Sequence, residues 1–343
     1  MYISLHSQKI KNINYGIEIL RVLLSFTVIL NHFYIKKKKY IFLLLNHIPT
    51  FFLMSFYFGF TTLSTLNTLK IKNRLERLLI PYFFWSIFFG LINNITLFKQ
   101  NKILLYNNLF IIIRRLLFGL INGHSLIYAY WFQINLIFIT FLYIFIIFFF
   151  NEHYLLILKL LVLISYIFQY SKLNIKLFEN VNIHVTKTYG RILEVFPNTV
   201  IGFNLFKLNL IQKFKKSKLY YFFFSFSFLY IINKYNIFKQ TEGFYYSGIR
   251  LNINALLYFI IFSLLPFESI KSKRVFKILN YLTSYTGGIY FLHIPIQSLL
   301  KNYIVLIKKS TFIGCCIIYL FCYLICFFGI KLLKETKFRY LFS

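Results

Sequence analysis

The sequence predicts an all-α protein, a polytopic integral membrane helix bundle with about ten transmembrane helices. Three observations predict it. The 343 residues are 59% hydrophobic and only 14% charged, with mean hydropathy +0.68; a soluble chain of this length needs far more polar surface to cover its core. Apolar runs long enough to cross a bilayer recur along the chain. Basic residues gather in short clusters between the runs, such as 36–39 "KKKK" and 212–218 "QKFKKSK", as suits helix ends facing lipid headgroups.

The first run, 16–35, holds "EILRVLLSFTVILNHF", an apolar stretch that nevertheless carries Glu18, Arg21, Ser25 and His32. The second, 41–64, is rich in Phe. The third, 79–98, follows the basic stretch "KIKNRLERLLIPYFFW" at 70–85. The connection 99–129 contains "LFIIIRRLLFGLING", where Arg114 and Arg115 interrupt the apolar residues. A surface-lying or re-entrant helix is expected there rather than another span. Further spans are expected at 130–150, 155–171, 189–207, 219–233, 249–267, 279–300 and 312–333, of which 155–171 and 219–233 are short. An even number of spans puts both termini on one side. No internal repeat is visible, and residues 1–343 read as one membrane domain.

Net charge is +31, from 39 Lys and Arg against 8 acids, every one of them Glu. In a soluble chain that balance would point to nucleic acid. Here the clustering between apolar runs points to the membrane bilayer as partner instead, with no nucleic acid. The surplus Lys goes with abundant Asn, Ile, Phe and Tyr, all residues of AT-only codons. Lys and Arg divide almost evenly between the two sets of loops, so the positive-inside rule gives no orientation. Cys315, Cys316, Cys322 and Cys326 lie in the last span with no His or acid beside them. Three share a helix face and read as small packing residues; no metal is expected. Trp85 and Trp131 fall near span ends, where aromatic belts form.

Arg21 and His32 are eleven residues apart, so they lie within about 20° on the helix wheel and about 16 Å apart along the axis. Glu18 and Ser25 fall on the same side, one turn before and one turn after Arg21. Such a polar stripe is costly in lipid and belongs against a bundle interior or a wet cavity. An arginine near one entrance and a histidine deep on the same face suit a long anionic ligand lying along the helix. Arg74 and Arg77 are neighbours on a helix face; paired guanidiniums hold phosphate oxygens bidentately, which Lys does less well, and Glu76 is placed to orient one of them. Arg191 and Glu194, one turn apart, read as a structural pair. His47 sits just before Pro49 at the start of the second span and is placed to face the same cavity.

Arg-x10-His in the first helix and Arg-x-x-Arg before the third resemble acyltransferase family 3 of the membrane acyltransferases. Other pieces agree in order: "IPTFFLMSFYFGF" at 48–60, "RLERLLIPYFFWS" at 74–86, "YWFQINLIF" from 130 and "GGIYFLHIPI" from 287. The chain departs from the family at Phe56, where Ser-Gly is usual for Ser55-Phe56, and at Gln133, where Leu is usual. A ring at 56 is expected to crowd a place of close approach.

The resemblance implies O-acyl transfer, most often of acetyl, from acetyl-CoA or another acyl-CoA to a hydroxyl of a cell-surface glycan or its lipid-linked precursor. Arg21, Arg74 and Arg77 are the implied cofactor-binding residues, clamping phosphates at a cytoplasmic mouth. His32 and Glu18 are the candidate catalytic residues, with His32 taking the proton of the attacking hydroxyl. His293, Tyr290, Trp131 and His47 are candidates for contacting substrate or lining the site. The resemblance also implies an inner (plasma) membrane protein with cytoplasmic termini. The alternative from another class is a transporter or flippase of polysaccharide or lipid-linked sugar, in which the arginines bind a pyrophosphate and His32 relays protons.

Overall fold

The computed structural model describes residues 14–33, 47–101, 130–170, 183–235, 248–265, 273–301, 303–308 and 311–342, with isolated positions from 113 to 120. Every regular element among them is helical. In chain order these are α1 (Tyr15–Phe33), α2 (His47–Ser64), α3 (Thr68–Asn101), α4 (Trp131–Phe149), α5 (Tyr154–Tyr170), α6 (Ile183–Lys207) and α7 (Leu210–Lys216). Then follow α8 (Lys218–Lys234), α9 (Ile249–Leu264), α10 (Lys273–Ser284), α11 (Thr286–Leu300), α12 (Val305–Lys308), α13 (Phe312–Leu332) and a closing 3₁₀ segment, Lys337–Phe342. The expected amphipathic segment in 99–129 lies almost wholly outside the described residues.

Four helices in the described residues are long and apolar enough to cross a membrane: Tyr15–His32, Thr68–Ile92, Trp131–Phe149 and Phe312–Leu332. Tyr154–Tyr170 and Ile249–Leu264 are apolar but shorter. α2 and α6 stand apart from these because they carry polar residues inside the bundle, among them buried His47, Thr50, Arg191, Glu194, Asn198 and Thr199. The window 279–300 is two helices, parted at Tyr285 just ahead of the weak helix formers Gly287 and Gly288.

The third helix begins eleven residues before its apolar window. Asn67 Oδ1 accepts the Lys70 backbone N–H at 3.0 Å, an N-cap bond, and the Lys, Arg, Leu and Glu that follow favour helix. Arg74 and Arg77 therefore ride on the same rod as the span and not on a loop. Pro81 lies inside that rod; the Gln133 side-chain amide on α4 donates to the Leu78 carbonyl at 3.2 Å, one turn from the ring.

Three buried clusters organise the bundle. One joins α1, α3, α4, α11 and α13 through Ile29, Tyr82, Trp85, Tyr130, Phe291 and Cys322. A second joins α2, α4, α5 and α6 through Phe52, Phe56, Trp131, Tyr143 and Phe203, and a third joins α1, α2 and α9 through Leu20, Leu53 and Phe259. α2 and α6 make the most extensive pairing. Gly202 permits it, because a Cβ there would stand 2.1 Å from the Leu53 carbonyl oxygen. Cys315, Cys322 and Cys326 are buried free thiols on one face of α13, as packing residues should be. Both tryptophans are core residues. Trp85 Nε1 donates to the Leu341 carbonyl at 2.9 Å, and Trp131 is buried in the second cluster.

Candidate functional site

The stripe on α1 faces α10, α11 and α13. Arg21 Nη1 donates to Glu18 Oε2 at 3.0 Å, while its Nη2 reaches the Thr283 carbonyl at 3.4 Å and Thr286 Oγ1 at 3.5 Å. One turn on, Ser25 Oγ donates to the Val22 carbonyl and meets the Tyr319 hydroxyl of α13 at 3.2 Å. His32, in the last turn, turns inward: its ring centroid is 5.1 Å from that of His293 on α11. Glu18 stays with Arg21, about 21 Å along the axis from His32.

His293 is buried, 1% exposed. Its Nδ1 lies 2.6 Å from the Tyr290 carbonyl oxygen and 3.3 Å from that of Ile289. Its Nε2 is buried with no hydrogen-bond partner among the described residues. The helix is locally adapted here. Pro295 has no N–H to offer the Phe291 carbonyl, and the buried Tyr130 hydroxyl donates to that oxygen at 3.2 Å. His47, the first residue of α2, is 2% exposed, and both it and His32 lie within electrostatic reach of His293. Three imidazoles from three helices thus share one end of the bundle. They do not form a metal-holding group among the described residues.

An aromatic wall leads away from the imidazoles. The Tyr290 ring is 5.8 Å from His293 and 5.0 Å from Phe132. Phe132 in turn packs on Phe52 and Trp131. The Arg191 guanidinium lies 4.3 Å over the Trp131 ring, a cation–π contact. Arg191 and Glu194 are both buried inside the bundle.

The arginines of α3 diverge. Arg74 folds onto α2, with Nη1 donating to the Ser55 carbonyl at 3.3 Å and Nη2 to Ser55 Oγ at 3.1 Å. Its Cζ sits 5.3 Å over the Phe56 ring. Its Nε is buried without a hydrogen-bond partner among the described residues, and no carboxylate there forms an ion pair with it. Arg77 is exposed and lies 5.6 Å over the ring of Tyr340 in the 3₁₀ segment. Arg339 first, and Arg77 with it, hold the Tyr340 hydroxyl below the usual phenol range. Glu76 orients neither arginine; its Oε1 pairs with Lys337 Nζ at 2.6 Å. Phe56 does not crowd a site of close approach either. It is fully buried against Tyr143, ring centroids 4.6 Å apart, and supplies the face on which Arg74 rests.

His32, His293, His47, Tyr290 and Trp131 are therefore brought into one region. Arg21, Arg74 and Arg77 are each held by different partners on the other side of the same bundle. Ser55 lies eight residues from His47, so α2 alone puts about 12 Å between the Arg74 guanidinium and the level of the imidazoles. Sequence reasoning missed Ser55 and Gly59 as the seat of Arg74 and Tyr340 as the neighbour of Arg77. A conspicuous Gly in a Phe-rich helix was the one available signal for the first; nothing in the sequence marks the second.

A family model described as an acyltransferase domain matches residues 14–331, nearly the whole chain. The search of curated proteins and the search of solved structures gave no significant match. The chain belongs to that acyltransferase family.

Proposed function

Starting from that membership, we propose that this membrane acyltransferase moves an acyl group, acetyl in the first instance, from acetyl-CoA to a hydroxyl of a cell-surface glycan or its lipid-linked precursor. The observation that carries the reading is the inward turn of His32 onto His293 at one end of the helices whose other halves hold Arg21 and Arg74. A half-buried guanidinium, its Nε buried, with no counter-carboxylate among the described residues favours an anion beside it, and the phosphates of coenzyme A are that anion. Arg74 supplies the fixed contact, Arg77 the exposed one, and Arg21, steadied by Glu18, lines the first helix on the way in. The pantetheine arm then runs towards His32, where the thioester meets acid–base groups. Tyr290, Trp131 and His47 line the chamber that receives the acceptor.

In this reading the arginine side and both termini face the cytoplasm, where acyl-CoA is made, and the remaining apolar helices complete about ten crossings of the inner membrane. Residues 1–343 act as one domain. Purified protein in detergent, given labelled acetyl-CoA and envelope polysaccharide from a strain deleted for this chain, tests it. Label is expected in the polysaccharide as an alkali-labile ester. Consumption of acetyl-CoA with no ester formed would refute the assignment.

A further inference from the structure

We infer that His293 is a second catalytic residue, the base whose Nε2 takes the proton of the attacking hydroxyl in place of His32, to which the resemblance gives that role. This rests on the acyl-transfer reading above and assigns a step within it. The two oxygens facing Nδ1, those of Tyr290 at 2.6 Å and Ile289 at 3.3 Å, are carbonyls. Carbonyls only accept hydrogen bonds, so Nδ1 carries the proton and donates. A neutral imidazole has one N–H, so Nε2 is left as a bare lone pair. That atom is buried and unpartnered among the described residues, and an unmet acceptor in an apolar interior calls for a donor. The ligand group that satisfies it must carry O–H or N–H. A thioester carbonyl, which can only accept, cannot.

The arrangement therefore has a chemical polarity. The hydroxyl acceptor belongs on the α11 side, against His293. The thioester belongs on the α1 side, against His32, whose ring is 5.1 Å away and presents an N–H to the carbonyl oxygen as negative charge develops. In the step, the O–H bond breaks and its proton passes to His293 Nε2. The oxygen's electron pair forms the new C–O bond to the thioester carbonyl carbon, and the π pair moves onto the carbonyl oxygen. When that pair returns, the C–S bond breaks; the thiolate takes the proton back from Nε2. Ester, free thiol and neutral imidazole result. The backbone carbonyl of Tyr290 holds the tautomer throughout, as an orienting group does for any histidine base.

His293→Asn separates this role from packing, because the Asn amide N–H can still reach the Tyr290 carbonyl while no base remains. With acetyl-CoA and the same deletion-strain polysaccharide, thiol release at saturating substrates is expected to fall by about 10²–10⁴, with acetyl-CoA binding unchanged. Transfer within threefold of wild type would overturn the assignment. Should the variant not fold, the wild type decides: ¹⁵N spectra of imidazole-labelled protein are expected to show a histidine protonated at Nδ1 and bare at Nε2, its Nε2 signal moving when polysaccharide is added. An Nε2-protonated ring at position 293, or no response to acceptor, would overturn it too. If wild type itself acylates nothing, the function proposed above falls; if it acylates and His293→Asn keeps pace, only the role of His293 falls.

Discussion

Arg74 owes its position to a neighbour's lack of bulk. A Cβ on Gly59 would stand 2.7 Å from Arg74 Nη1 and 3.0 Å from its Cζ, and the guanidinium is the movable partner in that clash. Gly59→Ala is therefore expected to split two properties. Helix propensity gains up to about 1 kcal/mol, so thermal stability holds or rises, while displacement of Arg74 weakens acetyl-CoA binding several-fold. Thermal melts and equilibrium dialysis on the same preparation check both; unchanged binding would mean Arg74 has no part in holding the donor. Arg74→Lys keeps the charge but loses the fork that spans the Ser55 carbonyl and hydroxyl. A rise in Kd of about tenfold, roughly 1.4 kcal/mol, is expected by the same dialysis measurement.

Three helices keep prolines in their interiors, Pro81, Pro197 and Pro295, and at the last two a neighbour supplies the missing donor. Pro197 cannot bond the Leu193 carbonyl, and that oxygen takes Gln169 Nε2 at 2.7 Å together with the Ser165 hydroxyl, both from α5. Tyr130 serves the Phe291 carbonyl, freed by Pro295, in the same way. Inside a bilayer a freed carbonyl has no water to turn to. The double variant Ser165→Ala, Gln169→Leu should therefore lose about 1–2 kcal/mol, read as a lower melting midpoint in detergent; an unchanged midpoint would mean that the Leu193 oxygen finds another donor. The sequence marks where the prolines interrupt their helices, since Pro is a local signal. It does not mark Gln169 or Tyr130 as their complements, because those donors come from other helices and only packing brings them near. Gln133 stood out only as a departure from the family pattern, without its purpose.

Across the molecule, the last residues fasten onto α3. Lys337 pairs with Glu76, Tyr340 lies under Arg77, and the Leu341 carbonyl accepts from Trp85. Ending the chain at Lys334 should lower the melting midpoint and free Arg77 from its aromatic cover, changing the affinity for acetyl-CoA; no change in either would show the closing segment to be dispensable. Much of the site was legible along single helices. The eleven-residue spacing of Arg21 and His32 fixes a common face, and that face does turn inward, towards His293. The convergence of His32, His47 and His293 could be anticipated only as separate motifs, because their meeting depends on how α1, α2 and α11 pack. The pairing of Arg74 with Arg77 followed from helix spacing, yet tertiary partners separated their roles: Ser55 and Phe56 draw one inward, Tyr340 and solvent keep the other out. The most direct test of the whole arrangement is transfer by His32→Leu, which removes the N–H donor, measured beside acetyl-CoA binding. The account predicts a loss of at least a hundredfold in the rate of ester formation with donor affinity intact. Transfer at the wild-type rate would contradict it.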